Sequence, residues 1–402
     1  MFQESSDIRE LLPYFRATFA LPFLIRWQKV RLRKSNSSTN KGNGCDSLKK
    51  YMDLEDMSQA NCASVLRVIQ AHSGISRKQI ADMTGLSWGG MTKIVNKLFE
   101  HEYIVEEKNG VPGGFGRTPG LLSLNREKHF AAGADINKTG LSASVTDLLG
   151  GIRRQYFAEN IFGDKEGLLC NISHFFEKIF QDFPEGEIEA VGIAMQGGID
   201  AKQGISVSFP GCRDWMDVPI VHILKEKFRT EIDLEHDPDC MLYCELEHVD
   251  ANHVILLRLD RSIGMAAALN GTILRAKGIL EVAHCTVVPG GKACRCGRSG
   301  CLEAYIAPCL KDGKIQKAAV GEMIAPLAAA IHNLICIFNA DTVILAGELM
   351  RYSSLFEGRL RLEIQKLQGE RKTEIIFTDG AGSAVTGAAL IASSRAVERI
   401  KL

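Results

Sequence analysis

A short cysteine cluster is the feature that most constrains how this 402-residue chain can fold. Cys294, Cys296 and Cys301 follow the spacing C-x-C-x4-C beside several glycines, and His284 precedes them. Three thiolates and one imidazole form a tetrahedral ligand set for zinc, and glycines allow the chain to turn tightly around an ion. The pattern therefore predicts a closed, structural Zn²⁺ site at these four residues. Free buried thiols are the alternative interpretation.

Length and composition are those of an ordinary globular protein. At about 150 residues per domain, a chain of this length predicts two or three domains with large cores. Apolar residues make up 46% and charged residues 24%, which excludes a disordered chain, and 48 basic residues balance 48 acidic ones, so net charge identifies no partner.

The lack of a clear signal peptide favours the cytoplasm as the location. The other cysteines are scattered singly, and no clear signal peptide with a small-residue cleavage site is present. The apolar stretch from Phe15 to Ile25 is interrupted by Arg16 and Pro22, and it is shorter than the ~20 residues of a spanning helix. We therefore expect a cytoplasmic protein without a membrane partner.

Residues 1–57 form a basic N-terminal extension that we expect to be partly disordered. Several lysines and arginines between Arg26 and Lys34 precede a polar run at residues 35–44, which cannot bury a core. The basic cluster fits either contact with DNA phosphates or a solvated tail.

Residues 58–126 have the pattern of a winged helix-turn-helix. Apolar residues at helical spacing predict a first helix from Ser58, and Ser76 and Ser87 are predicted to cap a second and a third. Tyr103 to Glu107 and Leu121 to Leu124 then read as strands on either side of a glycine-rich turn. Three helices followed by a hairpin are typical of this DNA-binding module.

Such a module places its third helix in the major groove of DNA. Its predicted outer face, which would contact operator DNA, contains Ser87, Trp88, Gly89, Gly90, Thr92, Lys93 and Asn96. The glycines are unusual there, since each costs roughly 1 kcal/mol of helix propensity relative to alanine, and they could allow close approach to the duplex. Arg117 lies where a wing could reach the minor groove. Docking of a protein by the module, and a merely solvated Arg117, are the alternatives.

Residues 127–402 alternate strand-like and helical patterns, which predicts an α/β domain. The predicted strands cover residues 130–136, 141–147, 152–158, 191–195, 232–234, 254–259 and 343–345. The predicted helices cover residues 166–181, 218–228, 318–338 and 383–399.

Several segments of this domain resemble the ROK family, which groups sugar-responsive repressors with sugar kinases. The specific part is the stretch Glu281-Val-Ala-His284, Pro289-Gly-Gly291, Cys294-Arg-Cys296-Gly297 and Gly300-Cys301-Leu302-Glu303. Weaker matches are Val191 to Ala194, Gly197 to Asp200, Trp215, Asp217 to Pro219, Glu235 to Asp237, Asn270-Gly271 and Gly387 to Ala389. The resemblance covers roughly residues 58 to 400.

The resemblance implies a two-lobed, actin-like (ribonuclease-H-like) fold with a sugar in the cleft. Asp237 would contact a sugar hydroxyl and, in a kinase, accept its proton. The full set of sugar-binding residues that it implies is Gly197, His236, Asp237, Glu281, His284 and Glu303. Carboxylates and an imidazole can satisfy buried hydroxyls. Singly, each acid would read as a solvated surface group, and Glu303 as a charge at a helix N-terminus.

Two altered turns favour a regulator over a kinase. Kinases of the family carry Asp-x-Gly-Gly-Thr, whereas this chain has Asp135-Ile-Asn-Lys-Thr139, and Asp260-Arg-Ser262 replaces a second glycine turn. We therefore expect no catalytic residues and a sugar-sensing repressor that binds operator DNA as a homodimer or a higher oligomer. The alternatives are an active ATP-dependent sugar kinase and a zinc-stabilised interaction protein without sugar binding. His236 and Ala283 also replace an asparagine and a glycine that are usual in the family, which alters the predicted pocket.

Overall fold

The computed structural model describes residues 54–107, 120–159, 163–184, 186–275, 279–311 and 313–400. The first module consists of helices α1 (Leu54–Ala71), α2 (Arg77–Thr84) and α3 (Trp88–Glu100) and strands β1 (Ile75–Ser76), β2 (Ile104–Glu107) and β3 (Leu121–Leu124). The strands pair antiparallel in the order β1-β3-β2. The predicted extension and Arg117 lie outside the described residues, apart from the start of α1, which begins at Leu54, four residues before the predicted boundary.

Local signals set the ends of the helix-turn-helix. Ser76 caps α2 in a capping box with Gln79, and Gly85 ends that helix at φ +70°, a conformation that favours glycine. Ser87 caps α3 by accepting a hydrogen bond from the backbone N–H of Gly90. The turn between α2 and α3 is therefore encoded by its own residues, as the sequence predicts.

The α/β domain begins with a five-stranded sheet. Its strands are β4 (Phe130–Asn137), β5 (Gly140–Asp147), β6 (Ile152–Glu159), β7 (Ile188–Met195) and β11 (Glu231–His236). Helices α4 (Lys165–Gln181) and α5 (Ile220–Phe228) join them, together with the small sheet β8 (Ile199–Asp200), β9 (Ile205–Phe209) and β10 (Cys212–Val218).

A second five-stranded sheet follows helix α6 (Asp237–Glu245). It contains β12 (Val254–Leu259), β13 (Ile263–Leu269), β14 (Thr272–Ile273), β17 (Thr342–Ala346) and β18 (Glu374–Phe377). Between β14 and β17 lie α7 (Glu303–Ile306), the hairpin β15 (Leu310–Lys311) and β16 (Lys314–Ile315), and helix α8 (Lys317–Phe338). Helices α9 (Glu357–Gln368) and α10 (Ser383–Glu398) complete the chain.

Both large sheets have the same topology. In each, an antiparallel three-stranded meander continues into two parallel strands, in the orders β11-β7-β4-β5-β6 and β14-β13-β12-β17-β18. If the five strands of each sheet are numbered from 1 to 5 along the chain, the second sheet has the order 3-2-1-4-5. The first sheet has the same order when it is read in reverse. This duplication confirms the predicted α/β architecture of two ribonuclease-H-like lobes.

Helix α10 packs against the first sheet at very short range. A β-carbon at Gly133 of β4 would collide with the backbone of Val385 and Ala389, and one at Gly387 would collide with the backbone of Cys240 in α6. These glycines therefore let α10 lie directly on β4 and on α6.

The first module and the first lobe share a hydrophobic core. Leu66 and Met91 of the helix-turn-helix belong to the same buried cluster as Leu148, Ala392 and Val397 of the α/β domain. The predicted boundary between residues 126 and 127 lies in the connection from β3 to β4, and side chains on both sides of it pack together. Among the described residues, α8 is long and apolar enough to cross a membrane, but 56% of its apolar window is buried inside the second lobe.

Candidate functional sites

The structure brings the four predicted metal ligands together. The ligand atoms of His284, Cys294, Cys296 and Cys301 all lie within 4.8 Å of one another. His284 Nδ1 is 3.6 Å from Cys294 Sγ, and the sulfurs of Cys296 and Cys301 are also 3.6 Å apart. Ligands at ~2.3 Å around a tetrahedral zinc ion stand roughly 3.8 Å from each other. The donor set and its spacing therefore fit Zn²⁺.

The backbone around the cysteines forms the tight turns that the glycines suggested. Gly297 and Gly300 both have positive φ, and a β-carbon at Gly300 would collide with the carbonyl oxygen of Val288. Short antiparallel bridges join Ala293 to Ser299 and Thr286 to Cys301. These turns fold the loop back on itself, so that sulfurs separated along the chain face one another.

Two thiols of this cluster, those of Cys296 and Cys301, have shifted pKa values. Hydrogen bonds from the backbone and side chain of Arg298 lower the pKa of Cys296 to about 6. Burial and the neighbouring thiols raise the pKa of Cys301 to about 11. A metal ion bound between the two sulfurs would add a positive charge that favours the thiolate form of both.

Glu303 lies beside the metal ligands but already has a partner. Its carboxylate is 3.9 Å from both His284 Nδ1 and Cys294 Sγ, and it is buried at 2% exposure. Arg295 binds both carboxylate oxygens, at 2.8 and 2.6 Å, and Arg295 itself stands between two metal ligands in the sequence. The cysteine loop therefore neutralises the acid that the family resemblance assigns to a sugar.

The other predicted sugar-binding residues gather at one edge of the first sheet. His236 pairs with Met195, which pairs with Ile136, so the parallel strands β11, β7 and β4 end side by side. Asp237 follows β11 directly, and Gly197 lies two residues after the end of β7. Ligands of open α/β sheets bind outside such carboxyl ends of strands. Glu281, in contrast, is exposed and lies in a non-helical segment, so it does not share a helix face with His284.

Asp237 is paired with an arginine that comes from the other lobe. Its buried carboxylate contacts the guanidinium of Arg258 at the end of β12. Arg258 Nε also donates to Asp260 at 2.6 Å, and Asp260 accepts from the backbone N–H of Glu348 at 2.7 Å. This network joins the carboxyl ends of both sheets across the cleft.

Burial changes the charges around this network. Burial, and secondarily Arg258, lower the pKa of His236 to about 4, so that its imidazole is neutral at physiological pH. Burial raises the pKa of Asp135, whose Oδ1 has no hydrogen-bond partner among the described residues. Burial also lowers the pKa of Lys138.

A second arginine binds the acid before His236. Arg275 contacts both carboxylate oxygens of Glu235, at 3.1 and 2.7 Å. Burial, and secondarily repulsion from Glu235, raise the pKa of Asp239 in the first turn of α6 to about 7.

The altered phosphate turn is closed by its own side chains. Asn137 Nδ2 donates to Asp135 Oδ2 at 2.8 Å, and the backbone N–H of Thr139 donates to Asn137 Oδ1 at 2.9 Å. In glycine turns that bind phosphate, such backbone N–H groups are free to face the ligand. Here the side chain of Asn137 takes one of them.

The predicted DNA-reading face is exposed. Ser87, Trp88, Gly89, Lys93 and Asn96 lie on the solvent side of α3 and its N-cap, opposite the buried Met91, Val95 and Leu98. Thr92 is half-buried, with its hydroxyl oxygen shielded from solvent.

Sequence reasoning missed Arg258, Arg275 and Arg295 as parts of the cleft. A signal existed for Arg258, because it is the one charged residue in the otherwise apolar strand β12. A charge in a buried strand requires a partner.

Comparison with known proteins finds a family match in each of the two parts of the chain. The ROK family matches residues 132–309, and a winged helix-turn-helix DNA-binding family matches residues 64–105. The xylose repressor of Bacillus spizizenii is 28% identical over 265 residues, covering 63% of this chain and 68% of the relative. The xylose repressor of Caldicellulosiruptor bescii is 24% identical over 349 residues, covering 76% and 87%.

Solved structures show the same fold. A ROK family transcriptional regulator, described as a homologue of the E. coli MLC protein, matches at TM-score 0.70 with 18% identity and covers 85% of this chain and 97% of that one. A ROK glucokinase from Streptomyces griseus, solved with glucose and AMPPNP, matches at TM-score 0.55 with 21% identity and covers 65% and 99%. The chain therefore contains a ROK family domain, which follows a winged helix-turn-helix.

Proposed function

We propose that this protein is a cytoplasmic transcriptional repressor of carbohydrate genes, whose ROK domain senses a sugar or sugar derivative. The observation that carries the proposal is the order of the two matched families, a DNA-binding head at residues 64–105 followed by a ROK domain at residues 132–309. Relatives of this chain include proteins named xylose repressor.

Binding to DNA would use two copies of the head. A homodimer would place the two α3 helices in successive half-sites of an operator, with Lys93 near phosphate and Asn96 near base edges. Ser87, Trp88, Gly89, Thr92 and Arg117 complete the proposed contact set. The shared core supports this arrangement, because a movement of the first lobe carries the head with it.

Sensing would use the cleft between the lobes. Gly197, His236, Asp237, Glu281, His284 and Glu303 are the proposed sugar contacts. A ligand changes DNA binding only if it prefers one arrangement of the lobes over the other. Because Arg258 and Arg295 hold Asp237 and Glu303, an effector has to displace these ion pairs or bind beside them.

The first experiment measures DNA binding and its response to sugars. We expect the full-length protein to bind selected duplexes with an affinity that falls steeply as salt concentration rises. A cognate sugar or sugar derivative should weaken that binding in fluorescence anisotropy. Unchanged DNA affinity across a broad panel of neutral and phosphorylated sugars would contradict the proposed sensing, whereas absence of sequence-preferring DNA binding would contradict the repressor itself.

Kinase activity is the alternative function, and the pairing of Asp237 with Arg258 argues against it. Phosphoryl transfer would require Asp237 to accept a hydroxyl proton, yet its carboxylate pairs with the guanidinium of Arg258. We therefore expect no sugar-dependent ADP formation in a coupled assay. Robust phosphorylation of any sugar in the panel would reverse this assignment.

Zinc is the proposed structural cofactor. His284, Cys294, Cys296 and Cys301 would hold it, and Glu303 would pack beside the ligands. Bound Zn²⁺ would supply a positive charge that holds His284 and the three cysteines together, and we propose no chemical step for it.

Replacement of one ligand tests the metal site. Cys296→Ser should lower the zinc content of purified protein from near one ion per chain to well below half, and should lower its melting temperature. The exposed thiol of Cys285, next to His284, provides the matched control, because Cys285→Ser removes no ligand. Intact protein without zinc by metal analysis would rule out the assignment.

A further inference from the structure

Gly89 is a glycine that the fold of this protein does not require. It occupies the second position of α3, is exposed, and a β-carbon added there would enter open space. Gly90 differs, because a β-carbon there would lie 3.2 Å from the capping oxygen of Ser87. Glycine is a poor helix residue. The free protein therefore explains Gly90 by its cap but gives no internal reason for Gly89.

Trp88 precedes this glycine and is largely exposed. Its side chain is 59% accessible, although tryptophan normally buries most of its surface. Met83, at the end of α2, is also 47% exposed. The helix-turn-helix thus presents apolar side chains to solvent on the elements that face DNA in such modules.

The charges of α3 suit a nucleic acid. From Trp88 to Phe99 the helix carries Lys93 and Lys97 and no acidic residue. Lysines at these positions can contact phosphates, but phosphate contacts carry no sequence information. The apolar feature that the major groove offers is the 5-methyl group of thymine.

We propose that Trp88 and Gly89 form a thymine-reading edge, in which the bare backbone at Gly89 lets α3 approach the groove closely and the Trp88 indole packs on a thymine methyl. This inference rests on the proposed DNA-binding function and adds the base that the helix recognises. It separates two tasks on one helix: Trp88 selects sequence, and Lys93 adds affinity independent of sequence.

A glycine series tests the close approach. Gly89→Ala in the full-length protein should leave the melting temperature unchanged or raise it, and should weaken binding to the duplex about tenfold. Gly321→Ala in α8 and Gly358→Ala in α9 are matched controls, because β-carbons at these helical positions also enter open space. These controls should bind DNA as the wild type does. Wild-type DNA affinity in Gly89→Ala would overturn the proposal.

A base-analogue series tests the contact with thymine. Duplexes are first selected from a random-sequence library with the wild-type protein, and each thymine is then replaced by uracil, which lacks only the methyl group. At one position per half-site, wild-type binding should fall about fourfold, the ratio that corresponds to ~0.8 kcal/mol for one buried methyl. Trp88→Ala should bind the thymine and uracil duplexes equally, with an unchanged melting temperature.

The outcomes separate this inference from the function on which it rests. Selected duplexes that show no uracil sensitivity, or a Trp88→Ala variant that keeps it, would overturn the thymine contact while DNA recognition stands. Failure to select any preferred sequence would overturn both.

Discussion

At the scale of single residues, arginines neutralise the buried acids that the family resemblance assigns to sugar binding. Asp237, Glu303 and Glu235 are buried acids, and each has a guanidinium partner from the same chain: Arg258, Arg295 and Arg275. A buried carboxylate must be paired or neutralised. Arg258 is the most consequential of the three, because it connects the two lobes and contacts the acid that the family resemblance assigns to sugar chemistry.

Replacing Arg258 should show how much a buried, unpaired Asp237 carboxylate lowers the free energy of unfolding. We expect Arg258→Leu to lower the free energy of unfolding by about 3 kcal/mol, because Asp237 is left buried and unpaired. The double variant Arg258→Leu with Asp237→Asn should recover most of this loss in chemical denaturation. Arg361→Leu, which breaks the exposed pair with Glu357, is the control and should cost less than about 1 kcal/mol. Equal losses in the first variant and the control would contradict the role of Arg258.

At the scale of elements, helix α6 carries a group that makes stability depend on pH. The pKa of Asp239 is raised to about 7 by burial and by Glu235, against an ordinary value of 3.8. Between these two pH values the folded state holds a proton that the unfolded state has lost. The contribution of Asp239 therefore becomes less favourable as the pH rises through this window.

Asp239→Asn should consequently stabilise the protein most at alkaline pH. We expect the variant to have a higher free energy of unfolding than the wild type at pH 8, by roughly 1 kcal/mol or more, and a much smaller difference at pH 4. Chemical denaturation at both pH values measures this difference. A variant whose advantage does not grow with pH would show that Asp239 titrates as an exposed carboxyl.

Elements with a clear period or cap were predictable, and those without were not. Helix α3 was predictable from its own residues, because Ser87 caps it and Met91 and Leu98 form its apolar side. Helix α6 was missed because seven of its nine residues are buried. It has no exposed polar face opposite an apolar one, so its sequence shows no helical periodicity. Strand β13 was missed because its alanines and glycine have little strand preference, and it is a strand because it pairs with β12 and β14.

At the scale of the whole molecule, the head and the first lobe form one packed unit. Gln70 of α1 donates to the carbonyl of Leu148, which also accepts from Ser393 of α10. Tyr103 stacks on His129 at 3.7 Å, and both contact Glu189 of β7. Arg67 pairs with Glu398 at 3.0 Å near the end of α10. Helix α10 therefore touches both α6, beside the cleft, and the DNA-binding head.

Hydrogen exchange should reveal this unit. We expect the amides of α1 and α10 to open together, with similar protection, because they share a core. Val397→Ala should lower the protection of both helices, while Ile364→Ala in α9, which belongs to the core of the second lobe, should leave α1 unchanged. Loss of protection in α10 without a change in α1 would mean that the head folds independently.

The sequence by itself determined the local features of this protein. The caps and apolar period of the helix-turn-helix, the alternation of strands and helices, and the spacing of Cys294, Cys296 and Cys301 are all short-range patterns whose physical meaning does not depend on distant residues. Only the tertiary structure decided which groups meet. Arg258 lies on the first strand of the second sheet and reaches Asp237 because the two sheets end beside each other. Arg295 reaches Glu303 because glycine turns fold the cysteine loop back on itself. Charge pairing acts through space, so no spacing along the chain could have revealed that these acids are already occupied.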